Sequence, residues 1–410
     1  MDSLASKMSD QIDSLRDRLA EIACEIWDYA EAGGEEFKSS ALLMDEFSKR
    51  GFAVERGLTG KSPDSGEECD MPTAFRAAFG NGGNPRVGVM LEYDALPNGH
   101  SCGHNLIAAA GLGAALALGT ALEELPGEVV AIGTPAEEGG APGKVEILHA
   151  GHFDGLDAVM MAHPSDRWNA ESRFLSIVHP KNGGIIYRGR AAHASSEPER
   201  GRSALDAVLL FCNGVEFFRE HVKDGSRMHY SIVNGGDAPN IVPDFAKVNI
   251  FVRSEDTNEL NYMKKRVTDI ASAAALMADV SCELEWDFPW YSPVKVPSFY
   301  SLARKSAESA GVGAGNFIDY DSFGSTDAGN VGLMFPLVHL DFKIAPLGTN
   351  WHSKESAEAS RSQEGIEGMI TAAKTIALTL YSLMTQPDLM RRIKDEFAAR
   401  RRTFGSETYV

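Results

Sequence analysis

Apolar runs of strand length alternate with helical patterns along the first 180 residues of the chain. The runs at 86–91, 128–132 and 158–162 have the length and composition of buried strands, and the apolar stretch 106–125 between the first two has those of a helix. Strands that alternate with helices are typical of a parallel α/β sheet. The pattern therefore predicts an α/β, mostly parallel-sheet domain.

The flanking segments of this domain have their own patterns. Residues 8–50 carry apolar side chains at helical spacing and are predicted to be helical. Residues 57–72 mix Gly, Ser, Pro and Asp and are predicted to form an exposed loop. Residues 144–149 are predicted to form a short helix.

The pattern changes near residue 180. Four strand-like runs and two helical segments then follow in the order β-α-β-β-α-β, with strands at 183–189, 228–233, 247–253 and 281–288 and helices at 203–221 and 257–277. That order is typical of a ferredoxin-like α+β unit. Because α/β patterning resumes after Trp290, we expect an inserted domain at 181–292 within a domain formed by 1–180 and 293–410.

Composition and charge narrow the class of protein. The chain has 410 residues and a formal net charge of −19, which argues against nucleic acid and anionic membranes as partners. Its five cysteines are scattered and form no CxxC pair, which is typical of reduced thiols. The first residues lack the pattern of a secretory signal, and the apolar run 106–122 is better interpreted as a buried helix than as a membrane span. A cytoplasmic location is expected.

The pair Cys102 and His104 is the first candidate for metal chemistry. One residue separates them in a turn after a predicted strand, so that thiolate and imidazole can face one pocket. Such ligands favour zinc, with other transition metals as alternatives. A buried free cysteine beside a hydrogen-bonded histidine is the structural alternative.

Two adjacent carboxylates, Glu137 and Glu138, follow the next predicted strand and precede Gly-Gly. They should repel each other unless a cation lies nearby. One can ligate a metal while its neighbour takes a proton from a metal-activated water. An acidic surface loop is the alternative interpretation.

Further candidates follow other strands. His163 closes the apolar run 158–162, and His352 lies far downstream in a polar segment and could supply a last ligand. Asp94, just past the first strand, could orient His104, since ligating histidines usually donate their second N–H to a carboxylate or carbonyl. In each case a structural histidine or a turn-capping aspartate is the alternative.

Three residues of the inserted domain have the chemistry of substrate contacts. His193 and Asn240 can stabilise a developing oxyanion, and Arg253 can bind a carboxylate in bidentate fashion. Each could equally be a loop cap or a surface residue.

Taken together, these motifs resemble a known family, the co-catalytic metallopeptidases and amidohydrolases that include carboxypeptidase G, aminoacylase and hippurate hydrolase. The order of the motifs is most similar to the branch of aminobenzoyl-glutamate hydrolase and β-alanyl-lysine (Xaa-Arg) dipeptidase. The resemblance spans roughly residues 20–380 and is carried by Cys102-Gly-His104, Pro-Ala-Glu137-Glu138, His163-Pro, Ala-Ala-His193-Ala-Ser, Pro-Asn240-Ile-Val-Pro and Gly-Ser-Thr-Asp327-Ala-Gly-Asn.

This resemblance implies a catalytic domain with a dinuclear metal site and an inserted lid domain that also mediates homodimerisation. The implied cofactors are two divalent metal ions, Zn²⁺ in the first place, with Mn²⁺ or Co²⁺ as alternatives. The implied metal ligands are Cys102, His104, Glu138, His163 and His352. Glu137 would be the general base, and Arg253 would hold a substrate carboxylate. His193 and Asn240 would reach an active site, and His193 is expected to reach that of the partner subunit.

The sequence departs from the pattern of many relatives in three places. Asn105 stands where Asp is common, Glu92-Tyr-Asp94 replaces Asp-x-Asp, and Trp351-His352-Ser353 replaces His-Asn-Pro or Asn-His-Thr. These changes leave the implied metal set intact. His339 is a rival for the last ligand and ranks second because it lies in an apolar, strand-like run.

The resulting hypothesis is metal-assisted hydrolysis of the amide bond of an N-acyl or N-aroyl amino acid, or of a dipeptide with a free carboxylate. A bridging water would lose its proton to Glu137, which would return it to the leaving amine. One alternative is a catalytically silent homologue that binds small carboxylates or a protein. Another is a metal-free enzyme with Cys102 as nucleophile and His104 as base.

Overall fold

The computed structural model describes residues 2–138, 143–171, 173–318 and 324–403. The chain divides into two compact units. The first comprises the described residues of 1–173, 293–322 and 326–410, and the second comprises residues 174–292 with a short return segment that includes Gly324 and Ser325.

The described part of the chain forms the following elements. The helices are α1 (Ser3–Ser14), α2 (Arg16–Tyr29), α3 (Phe37–Lys49), α4 (His104–Leu122), α5 (Gly143–His149), α6 (Ala204–Arg219), α7 (Thr257–Ala278), α8 (Pro297–Ser309), α9 (Ala328–Met334), α10 (Lys354–Ala359), α11 (Gln363–Thr385) and α12 (Pro387–Thr403). The strands are β1 (Ala53–Lys61), β2 (Glu68–Gly80), β3 (Arg86–Leu91), β4 (Glu128–Gly133), β5 (Ala158–Ser165), β6 (Ser176–Val178), β7 (Ile185–Arg188), β8 (Arg227–Asn234), β9 (Phe245–Ser254), β10 (Ser281–Glu283) and β11 (Leu337–Lys343).

The first unit is built on a sheet of order β1-β2-β4-β3-β5-β11. Strands β4, β3, β5 and β11 are parallel, and β2 runs antiparallel to both β1 and β4. The α/β class with a mostly parallel sheet is therefore confirmed. The four parallel strands end at the same edge of the sheet, which is where α/β proteins bind ligands.

One local prediction for this unit was wrong, and another was confirmed except for breaks between helices. Residues 57–72 contain part of an antiparallel β1–β2 pair rather than only an exposed loop, because Leu58 and Met71 face each other across the pair and are buried. Residues 8–50 form parts of three helices, and α2 ends where Ala30 adopts a left-handed conformation with φ of 43°.

Helix α4 is the central helix of the first unit. It is the one helix among the described residues that is long and apolar enough to cross a membrane, but 94% of its apolar window is buried in the fold, as in core helices of soluble proteins. Its small residues permit close packing: a Cβ at Gly111 would lie 2.7 Å from Leu91 Cγ, and one at Gly113 would lie 2.8 Å from Leu19 Cδ1. This packing fixes α4 against the end of β3, and its first residue is His104.

The second unit has a sheet of order β10-β7-β9-β6, with β8 paired to β9. Helices α6 and α7 pack against β9. The order β7-α6-β8-β9-α7-β10 is the predicted β-α-β-β-α-β series. Strand β6, which precedes the predicted boundary at residue 181, also pairs with β9, and β10 ends at Glu283 rather than near residue 288.

Candidate metal centre

Side chains that can bind metal cluster at the carboxyl ends of the parallel strands. Glu92 and Asp94 follow β3, and Glu137 and Glu138 follow β4. His163 lies near the end of β5, opposite Asp341 of β11. The sheet thus brings together residues that are far apart in the chain.

A tight turn before α4 carries Cys102 and His104. Gly103 has a left-handed backbone with φ of 76°, and a Cβ there would lie 2.8 Å from Pro164 Cγ. Cys102 Sγ lies 3.4 Å from His163 Nε2. The ligand atoms of Cys102, His104 and His163 all lie within 4.8 Å of one another, close enough to surround one ion.

Asp94 connects two of the candidate ligands. Its Oδ1 lies 2.9 Å from His104 Nδ1, and its Oδ2 accepts a 2.7 Å hydrogen bond from the backbone N–H of Glu138. Nε2 of His104 is thereby left to face Glu138 Oε1 at 3.8 Å. This geometry agrees with the orienting role predicted for Asp94.

The Glu137–Glu138 pair follows a strained residue. Ala136 has a φ of 60°, a conformation that non-glycine residues rarely adopt and that recurs at functional sites. Its N–H donates a 2.8 Å hydrogen bond to Glu36 Oε1, and Glu36 also accepts from Thr73 at 2.8 Å. Glu36 is fully buried and was not singled out in the sequence, where it lies 100 residues from Ala136.

His352 lies beside this cluster at the surface. Its Nε2 is 3.7 Å from Glu138 Oε1, and its ligand atom lies within 4.8 Å of those of both Cys102 and Glu138. Its backbone has a φ of 57°, and its N–H donates to Ser101 O. His339 instead stacks on His163 with ring centroids 5.4 Å apart and belongs to none of the ligand groups found among the described residues. The geometry therefore favours His352 over its rival.

Burial and charge set the protonation states in the cluster. Burial opposes the charge on His104, but the carboxylates of Asp94 and Glu92 outweigh it and hold the pKa of His104 well above its usual value. Burial lowers the pKa of His163 to about 4 and raises the pKa of the Cys102 thiol. Burial, followed by the repulsion of Glu92, raises the pKa of Glu137 well above its usual value. A bound cation would favour the thiolate and the carboxylates.

These residues fit divalent metal ions. His104 Nε2 and Glu138 Oε1 are buried and have no hydrogen-bond partner among the described residues, although burying such atoms unpaired is costly. Bond lengths of about 2.0–2.3 Å to a tetrahedral zinc place its ligand atoms about 3.3–3.8 Å apart. The 3.4 Å between Cys102 Sγ and His163 Nε2 and the 3.7 Å between His352 Nε2 and Glu138 Oε1 fall in that range. Sulfur, imidazole and carboxylate ligands together suit zinc and similar transition metals.

A buried ion network adjoins the cluster and was missed in the sequence. Lys144 Nζ lies 2.7 Å from Glu92 Oε1 and 2.6 Å from Asp327 Oδ1, and all three side chains are almost completely buried. Glu92 Oε2 is in turn 3.4 Å from His104 Nε2. Lys144 and Asp327 are 183 residues apart, so that only the fold brings them together. Asp327 lay within a motif that carried the family resemblance, but Lys144 had no such signal.

The remaining candidates belong to the second unit. His193 is exposed and its Nδ1 accepts hydrogen bonds from the N–H groups of Ser195 and Ser196, at 3.3 and 3.2 Å. The Ala194 N–H donates to Asn240 O at 3.0 Å, so that His193 and Asn240 lie on neighbouring segments. Arg253 is half-buried on β9, opposite Arg227 of β8.

Comparison with known proteins identifies the family. The human Xaa-Arg dipeptidase is 33% identical to this chain over an alignment that covers 97% of the chain and 92% of the relative. The chain belongs to the M20 peptidase family. Residues 181–278 match the family's peptidase dimerisation domain. One of the subunits of the p-aminobenzoyl-glutamate hydrolase of Escherichia coli K12 is 29% identical, and the alignment covers 95% of the chain and 94% of that protein.

Solved structures show the same fold. The aminobenzoyl-glutamate utilization protein of Klebsiella pneumoniae superposes with a TM-score of 0.70 at 19% identity, and covers 93% of this chain and 99% of its own. A Bacillus subtilis protein described as a dinuclear metal binding peptidase of the M20 family has a TM-score of 0.65 at 18% identity, with 89% and 98% covered. The family inferred from the sequence motifs is confirmed, and with it the class of metal-dependent amide hydrolases.

Proposed function

We propose that this M20 protein hydrolyses the amide bond of an N-acyl or N-aroyl amino acid, or of a dipeptide with a free carboxylate, with Glu137 as the general base. The observation that carries the proposal is the convergence of Cys102, His104, Glu138, His163 and His352 beside Glu137. A binding module would have no need of a general base next to a set of metal ligands.

The chain's own residues suggest how the reaction proceeds. Two divalent cations held by the five ligands would polarise the scissile carbonyl and lower the pKa of water. Glu137, partly buried beside these ligands, would take a proton from the attacking water and give it to the leaving nitrogen. Asp94 would keep His104 in the orientation and tautomer that leave Nε2 free for metal.

Substrate binding is assigned to the second unit. Arg253 would bind the substrate carboxylate, and His193 and Asn240 would stabilise the oxyanion. A cavity of about 440 Å³ is lined by residues that flank His193 and Asn240 in the chain, namely Ala194, Pro239 and Ile241 among others. The names of the relatives, an Xaa-Arg dipeptidase and a p-aminobenzoyl-glutamate hydrolase, make basic dipeptides and aroyl-glutamates the first candidates.

A homodimer through the second unit accompanies this proposal. The family's dimerisation domain matches this region. Phe217 of α6 and Leu276 and Met277 near the end of α7 are large apolar side chains with 75%, 83% and 71% exposure. Val233 on β8, which pairs with β9 on one side, is 55% exposed. Such surfaces typically mark interfaces.

A cytoplasmic location is also proposed. Cys24, Cys69, Cys102, Cys212 and Cys282 are all free thiols, which suits a reducing compartment.

The test is a hydrolysis screen with purified, metal-loaded protein. It covers aminobenzoyl-glutamate, hippurate, acetylated amino acids and basic dipeptides, with and without a strong chelator. We expect at least one substrate to be cleaved, the chelator to abolish cleavage, and Glu137→Gln to bind metal normally but to lose roughly 10²–10⁴-fold in kcat. Glu124→Gln, which changes an exposed carboxylate, is the matched control.

Three results would contradict the proposal. Near-normal kcat in Glu137→Gln would remove Glu137 as the base. Activity that survives chelation but not thiol alkylation would instead favour Cys102 as a nucleophile, and full metal loading without any hydrolysis would favour a silent binding protein.

A further inference from the structure

Lys144 is a charged side chain buried where charge is costly. Its ammonium is 0% exposed and lies between Glu92 and Asp327, which are 1% and 0% exposed. Removing three charges from water costs several kcal/mol per ion, and such networks are often no more stable than apolar replacements. Stability alone therefore gives no reason for this arrangement.

The network connects three elements around the metal centre. Glu92 directly follows β3, Lys144 lies in the first turn of α5, and Asp327 directly precedes α9. Asp327 is bound twice, since its Oδ2 accepts from the Lys144 N–H at 2.9 Å and its Oδ1 from Lys144 Nζ at 2.6 Å. Lys144 thus links the start of α5 both to Glu92 after β3 and to Asp327 before α9.

Glu138 and Lys144, the two ends of residues 138–144, both contact residues that follow β3. At one end, the Glu138 N–H donates to Asp94, two residues after Glu92. At the other, Lys144 contacts Glu92 itself. The start of α5 also packs tightly against Pro135, two residues after β4, because a Cβ on Gly143 would lie 1.9 Å from Pro135 O. A shift of α5 would therefore be transmitted to the two glutamates.

We propose that Lys144 is a positioning residue for this enzyme: the Glu92–Lys144–Asp327 bridge fixes α5 and thereby sets Glu137 and Glu138 against His104. The role rests on the proposed hydrolase function and adds a residue to it. Lys144 acts through the two glutamates.

Two variants separate positioning from folding. Lys144→Met removes the cation and leaves two buried carboxylates unpaired. The triple variant Glu92→Gln, Lys144→Met, Asp327→Asn removes all the charges with groups of similar size, which should restore the melting temperature. Lys374→Met is the matched control, because it breaks a lysine–carboxylate pair of the same 2.6 Å length, Lys374 with Asp13, in the same unit.

The readouts are the melting temperature, the metal content, the absorption spectrum of the Co²⁺-loaded protein, and kcat and KM separately. A misplacement of about 1 Å at the reacting groups can cost about 100-fold in rate. We expect both network variants to lose about that factor in kcat with a much smaller change in KM, and to show an altered Co²⁺ spectrum. The triple variant should do so at a melting temperature near that of the wild type, and Lys374→Met should match the wild type in kcat and spectrum.

A triple variant with the kcat and the Co²⁺ spectrum of the wild type would overturn the proposal. A Lys144→Met protein with the kcat and the Co²⁺ spectrum of the wild type would overturn it as well. Failure of both network variants to fold would assign the bridge to stability alone and also overturn it. If the wild type hydrolyses no substrate, the proposed function fails, while the Co²⁺ spectra of the same variants still decide whether the bridge positions the ligands.

Discussion

Single carboxylates organise the metal centre at the scale of residues. Asp94 holds both His104 and the backbone of Glu138, and Glu36 holds the strained Ala136 that precedes Glu137. Neither Asp94 nor Glu36 is a proposed ligand. Asp94 nevertheless orients two proposed ligands, and Glu36 holds the backbone just before the proposed base. Residues behind the ligands therefore carry much of the geometry.

Asp94→Asn tests this view. The amide keeps the size of the side chain but weakens its acceptor bond to His104, so that His104 Nε2 is less well oriented. We expect metal affinity to fall by roughly 10–100-fold, measured by titration against a competing chelator. Asp45→Asn, which alters an exposed ion pair with Arg56, should leave the affinity unchanged. Equal affinities in wild type and Asp94→Asn would show that Asp94 does not orient the ligand.

The candidate ligands could be predicted from the sequence, whereas most of the residues that hold them in place could not. Cys102, His104, Glu138 and His163 follow or close predicted strands, and the edge of a parallel sheet is a place where such residues can be expected to meet. Glu36 and Lys144 find their partners 100 and 183 residues away in the chain. Their side chains carry no local pattern that distinguishes them from surface charges, so that only the folded chain reveals them.

At the scale of elements, ion pairs with a buried carboxylate join helices as well as loops. Glu46 of α3 is 5% exposed and accepts from Arg18 of α2 at 3.0 Å and from Lys49 at 3.1 Å. Burial raises the pKa of Glu46, but the hydrogen bonds from Lys49 and Arg18 outweigh it and the pKa is lowered from its ordinary 4.5. The pairing thus adds stability only while the carboxylate is charged.

The expected pH dependence follows from that direction. Above pH 4.5 Glu46 is charged in both states and its partners favour the folded one. As the pH falls below 4.5, the unfolded state binds the proton first, and the contribution is lost as the pH passes the lower folded value. Glu46→Gln should therefore destabilise the protein by about 1–3 kcal/mol at pH 7, with a gap that shrinks below pH 4.5, measured by urea unfolding. A gap that is independent of pH would contradict this assignment.

Predicted and observed elements differ where burial overrides composition. The polar stretch 57–72 forms part of the β1–β2 pair because two apolar side chains, Leu58 and Met71, reach the core. The helical segment 8–50 is interrupted between Tyr29 and Phe37, where Gly33 and Gly34 mark the break. By contrast, α4 and the parallel strands follow long apolar runs and were predicted at nearly their observed positions.

At the scale of the whole molecule, the proposed metal ligands connect distant parts of the first unit. They come from the turn before α4, the end of β4, the strand β5 and the segment before α10. Metal bound to the folded state alone should stabilise it by about 4 kcal/mol at a concentration 1,000 times its Kd. We expect removal by a chelator to lower the melting temperature and re-addition of Zn²⁺ to restore it, measured by scanning calorimetry. An unchanged melting temperature would argue against metal at this site.

The central claim is that two ions lie at the end of the parallel strands, and the most direct measurement is an anomalous-difference map of crystals grown with Zn²⁺. The account expects two peaks, one bonded to Cys102, His104 and His163 and the other to Cys102, Glu138 and His352, with the Glu137 carboxylate beside them and bonded to neither. A map without peaks there, or with peaks only at other residues, would contradict it.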